Sequence, residues 1–447
     1  MSTFNQKRLD KEIFQIDVER MRSGWYSDAY FPNTVRILEA LAKQGYTFSG
    51  RTDLDVDVRK IQNADIIVEM QFFTRRAPFA LVVGADEALA ILQECTGYFD
   101  DDGKFVNTYD QMEVWGVHDG TFAHYDGDPM FVEPVVKVRG RYRDFAVLET
   151  PILGVLTEAS RVATNVYNVL VATRGKDVLF FPARFAHYKL QALHGYAYSI
   201  AVQAFNAKPG QNSHAFVSTD DQGAWWGGKG GGTIAHASIA CFLGDTAETM
   251  IQFARVMPLE VPRIALVDFQ NDCVGTSLQV MERMFKVYAE LWQAGKQDEA
   301  GRYKLFAVRP DTSGNMRDVS VEPLGDKELD CGVNPRLVWA LRTAMDNAYK
   351  SWHVPPDMVD LARQWCRDVK IVVTGGFNAT KIRHFEDLNV PVDIYGVGSS
   401  LLENSSKNGS NTDYTADIVK VKIGDVWYPM AKVGRQPGDN PNLVRVR

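Results

Sequence analysis

The stretch LFAVRPDTSG (Leu305–Gly314) passes from an apolar run directly into an arginine, an aspartate and a glycine turn. Four other segments have the same form: Val178–Phe181, Arg263–Phe269, Lys370–Thr374 and Val392–Val397. Each is short and too apolar to be a half-exposed antiparallel strand. Each suits a parallel strand buried on both faces. Helical patterns separate most of them, over His187–Phe205, Thr233–Val256, Val274–Ala294, Pro335–Lys350 and Thr380–Leu388. This alternation predicts an α/β fold, either a β/α barrel or a doubly wound sheet.

Outward from this region the pattern changes. Residues 1–147 read as a smaller α+β domain, with a helix near Ala85–Gln93 and a strand-like run at Met130–Arg139. The barrel region is expected to occupy residues 148–402. It opens on a helix with Thr150 as N-cap and Pro151 at the first helical position. Apolar residues at Ile152, Leu156, Ala159, Val162, Ala163, Val166, Val169 and Leu170 form one stripe of that helix. Residues 403–447 turn polar and then strand-like at Ala416–Ile423 and Trp427–Val433, and are expected to pack on the N-terminal domain.

Composition narrows the class of function. The 447 residues carry a net charge of −7 without basic runs, which disfavours a general nucleic-acid binder. No apolar run approaches the roughly 20 residues that span a bilayer. The opening MSTFNQKRLDKEIF has no apolar core, so no secretory leader is expected. Five scattered cysteines without a CxxC pair argue against a zinc ribbon and fit a reducing compartment. The expectation is a cytoplasmic protein with no resident metal cluster.

In parallel β/α folds, functional groups gather at the carboxyl ends of strands. Here the five runs lead to Arg184 and His187, to Asp268 and Asp272, to Arg309 and Asp311, to Gly375-Gly376, and to Gly396, Gly398 and Ser399. The two late glycine turns could be tight βα turns. They could also bring backbone N–H groups against a phosphate, as the last strands of phosphate-binding barrels do. Arg309 can grip an anion bidentately while Asp311 orients sugar hydroxyls or a magnesium ion; the two could also be a structural ion pair. The stretch GAWWGGKGGGTIAH (Gly223–His236) reads as a mobile loop that offers Lys229 to an anion, with a linker as the plainer alternative. It is followed by His236, a candidate proton carrier or nucleophile in the first turn of a helix.

Taken together, the segments SDAYFPNT (Ser27–Thr34), LETPILGVL (Leu148–Leu156), FPARFAH (Phe181–His187), GGTIAHAS (Gly231–Ser238), ALVDFQND (Ala265–Asp272), FAVRPDTSG (Phe306–Gly314), IVVTGGFNATKI (Ile371–Ile382), VDIYGVGSSLL (Val392–Leu402) and DYTADIV (Asp413–Val419) span nearly the whole chain in order. The set resembles nicotinate phosphoribosyltransferase, a type II phosphoribosyltransferase. The resemblance implies an irregular TIM-like barrel and a reaction of nicotinate with 5-phosphoribosyl 1-pyrophosphate (PRPP) to give nicotinate mononucleotide and pyrophosphate, in NAD salvage. It also implies coupled ATP hydrolysis through a phosphorylated histidine, matched by His236, with Mg²⁺ and ATP as cofactor and co-substrate. Phe181 and Tyr30 match the aromatics around the pyridine ring, and the tyrosine comes from the partner subunit of a homodimer in relatives. Arg184 matches the arginine for the pyridine carboxylate. Arg309 and Asp311 match residues that hold PRPP. Gly375, Gly376, Gly398 and Ser399 match the phosphate turns. Asp268 and Lys229 complete the expected substrate-binding set.

The chain departs from the family pattern at two places. Phe181-Pro182-Ala183 stands where many relatives have Phe-Gly, and Thr374-Gly375-Gly376 where many have Ser-Gly-Asp. The missing aspartate leaves the sugar contact to Asn378 or Asp311. Residues 187–219 contain no Asp or Glu, which favours the anionic nicotinate over nicotinamide. Nicotinamide or quinolinate as acceptor, and a non-catalytic phosphate-binding barrel, are the alternatives.

Overall fold

The five apolar segments lie side by side as parallel strands of one sheet, in a computed structural model that describes residues 7–447. The strands are β1 (Asp177–Phe180), β2 (Phe216–Val217), β3 (Ile264–Leu266), β4 (Ala307–Arg309), β5 (Lys370–Val373) and β6 (Ile394–Val397). Their order is β3-β4-β5-β6-β1-β2, parallel throughout. This is the chain order bent round until the last strand pairs with the first, Ile394 facing Asp177 and Val397 facing Phe180. The ring is open only between the edge strands β2 and β3. The fold is α/β with a curled, half-barrel parallel sheet. Strand β2 was not foreseen, because two residues are too short to show any periodicity.

Side chains alternate along each strand, so every second residue points into the ring. Leu179, Ile264, Ala307, Val372 and Ile394, one from each of five strands, form an apolar cluster with Phe181, Phe216 and Phe306 against it. At roughly 1.5–3 kcal/mol for each fully buried large aliphatic side chain, this layer is a substantial part of the barrel's stability. The next inward layer cannot serve the same purpose, because it contains Arg309, Thr374 and Gly396.

Contacts divide the chain into two units. One holds residues 168–196 and 205–402, including all six barrel strands; the other holds the chain up to Tyr167 together with Ala197–Ala204 and Glu403–Arg447. The second unit is built on a six-stranded antiparallel sheet. Its order is Val426–Pro429, Tyr414–Ile423, Ile67–Thr74, Pro134–Arg141, Glu113–Gly116 and Val444–Arg445. The long C-terminal strand pairs with Ile67–Thr74 from Ile67 opposite Lys422 to Thr74 opposite Tyr414. Helix Ala85–Cys95 packs Ala85, Ala88, Leu89, Ile91 and Leu92 into the core of this unit with Val68, Met70 and Phe72.

Two helix expectations are corrected. Residues 233–256 form two helices, His236–Cys241 and Thr246–Val256. Leu243 and Gly244 between them have φ of 55° and 89°, and the Asp245 side chain caps the second helix by accepting from Glu248 N at 2.8 Å. Periodicity ran through this break because apolar residues lie on both sides of it. The helix expected from Thr150 begins at Glu149, directly after a 3₁₀ turn over Ala146–Leu148. The Thr150 hydroxyl does not cap it; the hydroxyl donates to Asp28 Oδ2 at 3.1 Å and accepts from Asp28 N at 3.1 Å.

Candidate active site

Two residues beyond the apolar layer, each strand contributes one residue to the wall of a cavity of ≈ 500 Å³. These are Phe181, Ser218, Leu266, Arg309, Thr374 and Gly396. Arg184, His236, Asp311, Gly375, Gly376, Gly398 and Ser399 complete much of the rim. Strand alternation has therefore converted sequence spacing into a shared pocket. A run that ends Ala307-Val308-Arg309 must aim Arg309 to the same side as Ala307, above the core.

Arg309 organises the floor. Its Nη2 donates to the Ile234 carbonyl at 3.1 Å and its Nη1 reaches Thr374 Oγ1 at 3.5 Å and Asp311 Oδ2 at 4.0 Å. Burial pulls its proton affinity down, while Asp311 and Asp268 push it up; a guanidinium so placed remains a cation. Thr374 donates to Asp311 Oδ1 at 2.7 Å, which fixes the carboxylate beside the cation. The Ile234 contact ties this cluster to the segment that delivers His236.

His236 stands at the start of its short helix, half exposed, with Nε2 3.1 Å from both oxygens of Asp268. A carboxylate only accepts, so Nε2 carries a proton; in the neutral ring the lone pair then lies on Nδ1. The Asp268 side chain is largely buried. Burial holds its carboxyl above the usual range, and the charge of Asp311 adds to this, while His236 opposes both. Asp268 thus borders the cavity through the imidazole that it orients.

Glycine is required at Gly396, where a Cβ would meet Thr374 Cγ2 at 2.5 Å and the Phe181 ring at 3.0 Å. Gly375 and Gly376 have φ of 93° and 68°, both in the left-handed region. The turn they form exposes backbone to the cavity. Ser399 opens the 3₁₀ turn Ser399–Leu402, where Leu401 N donates to Gly398 O at 3.0 Å. Phe181 donates its N–H to Val397 O at 2.9 Å and meets Phe216 edge-on at 6.2 Å. Arg184 is exposed on the 3₁₀ turn Ala183–Phe185, its guanidinium 5.1 Å from the centre of the Phe185 ring.

Lys229, Asn378 and Asp272 are not part of the cavity wall. Lys229 is exposed. Its loop is tied rather than loose: Gly230 N donates to Asp220 Oδ1 at 3.0 Å, Gly231 N to Val217 O at 2.8 Å, and the Trp226 indole to Gln222 O at 2.8 Å. Tyr30 belongs to the other unit, exposed on helix Tyr30–Lys43, with its hydroxyl donating to Asp28 at 3.1 Å. Asn378 caps helix Ala379–Asp387 by accepting from Lys381 N at 2.9 Å, which occupies the group considered for a sugar hydroxyl. Likewise Asp272 caps helix Cys273–Gln293.

Sequence reasoning named Thr374 at the end of its run without giving it a role, and passed over Ser218, Phe377 and Lys381; Ser218 follows a strand too short to show a pattern. Among the described residues, no group of three or more His, Cys, Asp or Glu side chains is arranged to hold a metal ion, and no helix is long and apolar enough to cross a membrane.

Residues 55–160 match the family described as quinolinate phosphoribosyl transferase, N-terminal domain. No curated protein matches the chain. Among solved structures, a nicotinate-nucleotide pyrophosphorylase from Pyrococcus furiosus is similar with 24% identity and a TM-score of 0.61, over 95% of this chain and 81% of that one. The human nicotinic acid phosphoribosyltransferase is similar with 14% identity and a TM-score of 0.51, over 88% of this chain and 74% of that one. Residues 55–160 are thus similar to that N-terminal domain family, and the chain shares the fold of these two solved structures.

Proposed function

We propose that this chain is a nicotinate phosphoribosyltransferase that forms nicotinate mononucleotide and pyrophosphate from nicotinate and PRPP. The observation that carries this reading is the convergence of Arg309, Asp311, the Gly375-Gly376 turn, Gly398, Phe181 and Arg184 around one cavity. Each matches a need of the reaction. Arg184 meets the pyridine carboxylate, Phe181 covers a ring face, and the glycine turns and Arg309 take the phosphates. The pyridine nitrogen forms a bond to C1 of the ribose as the bond from C1 to the pyrophosphate oxygen breaks with its electron pair. Charge builds as an oxocarbenium ion beside Asp311 and as pyrophosphate beside Arg309. Placement and electrostatic stabilisation supply most of the acceleration, and little proton transfer is needed.

His236 is the proposed site of ATP coupling. Its Nδ1 lone pair can accept a phosphoryl group while Asp268 holds the proton on Nε2 and stabilises the cationic ring. Asp268 and Asp311 interact electrostatically, and a magnesium ion is commonly held by one or two carboxylates plus substrate phosphates. Asp311, which lines the cavity, would hold it with the substrate phosphates, and when bound it would neutralise charge on the leaving group. The exposed Tyr30 suits a role in a second copy's site, as the resemblance implies.

The family match over residues 55–160 favours one further reading, quinolinate as acceptor. Two carboxylates call for more cations than the two arginines, Arg184 and Arg309, that line the cavity. Competition between labelled nicotinate and quinolinate for PRPP separates the two: nicotinate mononucleotide made from nicotinate, unaffected by excess quinolinate, is the expected result. His236→Ala is expected to abolish stimulation by ATP while weakening transfer without ATP much less. Equal stimulation in wild type and variant would remove His236 from this role.

A further inference from the structure

Behind the Gly375-Gly376 turn lies a lysine that no strand-end reasoning reaches. Lys381 sits on helix Ala379–Asp387, and its Nζ is 3.4 Å from the Gly375 carbonyl oxygen. The same ammonium stands 4.2 Å from the centre of the Phe377 ring and 5.8 Å from that of Phe385. Phe377 is itself a cavity residue, buried and packed edge-on against Phe385 at 5.0 Å. Lys381 does not line the cavity.

In a trans peptide the C=O and the following N–H point to opposite sides of the chain. Both residues of this turn have positive φ and no side chain to limit the peptide's rotation, so the turn alone does not fix where the Gly376 N–H points. An ammonium that holds the Gly375 carbonyl from behind turns the Gly376 N–H the other way, towards the cavity that Gly375 and Gly376 line. The cation also adds a positive field behind that N–H, in a setting where few waters screen it.

We propose that Lys381 is a positioning residue for the phosphate turn: by holding the Gly375 carbonyl within an aromatic cradle, it presents the Gly376 N–H to a phosphate group of the substrate. This inference rests on the reading of the turn as a phosphate site. Burial also depresses the lysine to about 8, consistent with a cation held at some cost where an anion arrives.

The test uses the full-length protein with PRPP and, separately, inorganic pyrophosphate as a competing inhibitor. Lys381→Met removes both donor and charge and is expected to raise the KM for PRPP and the inhibition constant for pyrophosphate about tenfold, the size expected for one charge-assisted contact, with kcat changed far less. Lys381→Gln retains a donor without charge and is expected to fall between Lys381→Met and wild type. Lys381→Arg is expected to recover most of the affinity. A folded Lys381→Met with wild-type KM and inhibition constant overturns the proposal; if that variant does not fold, wild-type values in Lys381→Gln overturn it. Wild-type protein that neither turns over PRPP nor binds pyrophosphate overturns the phosphate reading itself, a different result from a tight wild type with an unaffected variant.

Discussion

The two sheets of this protein solve opposite problems. The antiparallel sheet has long strands, eight residues over Ile67–Thr74 and ten over Tyr414–Ile423, and it stitches them with cross-strand charge. Glu69 is buried there between Arg139, at 2.6 Å, and Lys420, at 3.1 Å. The parallel sheet has strands of two to four residues, and its charges stand at their ends, where they face a cavity. In the first sheet a buried carboxylate sits between two cations of neighbouring strands and does not line the cavity that the second sheet builds. In the second, burial raises the proton affinity of Asp268, with the charge of Asp311 adding to it and His236 opposing both.

The comparison breaks most sharply at Arg309. Arg309→Ala is expected to lower kcat/KM for PRPP by roughly 10²–10³-fold, the scale for loss of a preorganised charge at a developing anion. Steady-state kinetics measures this, and a thermal melt should move by much less than the activity. Glu69→Gln should do the reverse. It leaves two half-buried cations short of their partner and is expected to cost about 3 kcal/mol of stability with KM values unchanged, as read from denaturant unfolding. Its pH dependence has a defined sign. Burial pushes the Glu69 carboxyl up, but the bonds from Arg139 and Lys420 outweigh it and hold the group below its ordinary 4.5. The stabilisation is therefore present above that value and is lost as pH falls through the lower folded one, so wild type and variant converge in acid. Gly396→Ala belongs to both regimes and should have the smallest effect of the three. Its Cβ would press on Thr374 and Phe181, for an expected loss of about 1–3 kcal/mol together with weaker nicotinate binding.

The sequence revealed the parts of the molecule that depend on local order. Short apolar runs marked five of the six barrel strands; Arg184, Arg309, Gly375 and Gly398, each after one of those runs, line one cavity, whereas Asp268 and Asp272 do not. The C-terminal strand at Ala416–Ile423 was visible from its alternation and extends in the structure to Tyr414. Features set by distant parts of the chain stayed hidden. The ring's opening depends on β2, a pair of residues with no pattern of its own. The contact of His236 with Asp268 joins positions 32 apart, across two helices and strand β3. Lys381 read as an ordinary helix residue, because its link to Gly375 exists only once the turn has folded back over the helix. The glycine stretch around Lys229 looked loose from composition, yet its Gly230 and Gly231 N–H groups donate to Asp220 and Val217, which no local rule supplies.

The central claim is that the barrel's second inward layer is a site for phosphoribosyl transfer to nicotinate. Mass analysis of the products from purified protein with isotopically labelled nicotinate, PRPP, Mg²⁺ and ATP tests it most directly. The account predicts labelled nicotinate mononucleotide and pyrophosphate in equal amounts, both lost in Arg309→Ala. Unchanged nicotinate beside intact PRPP would contradict it.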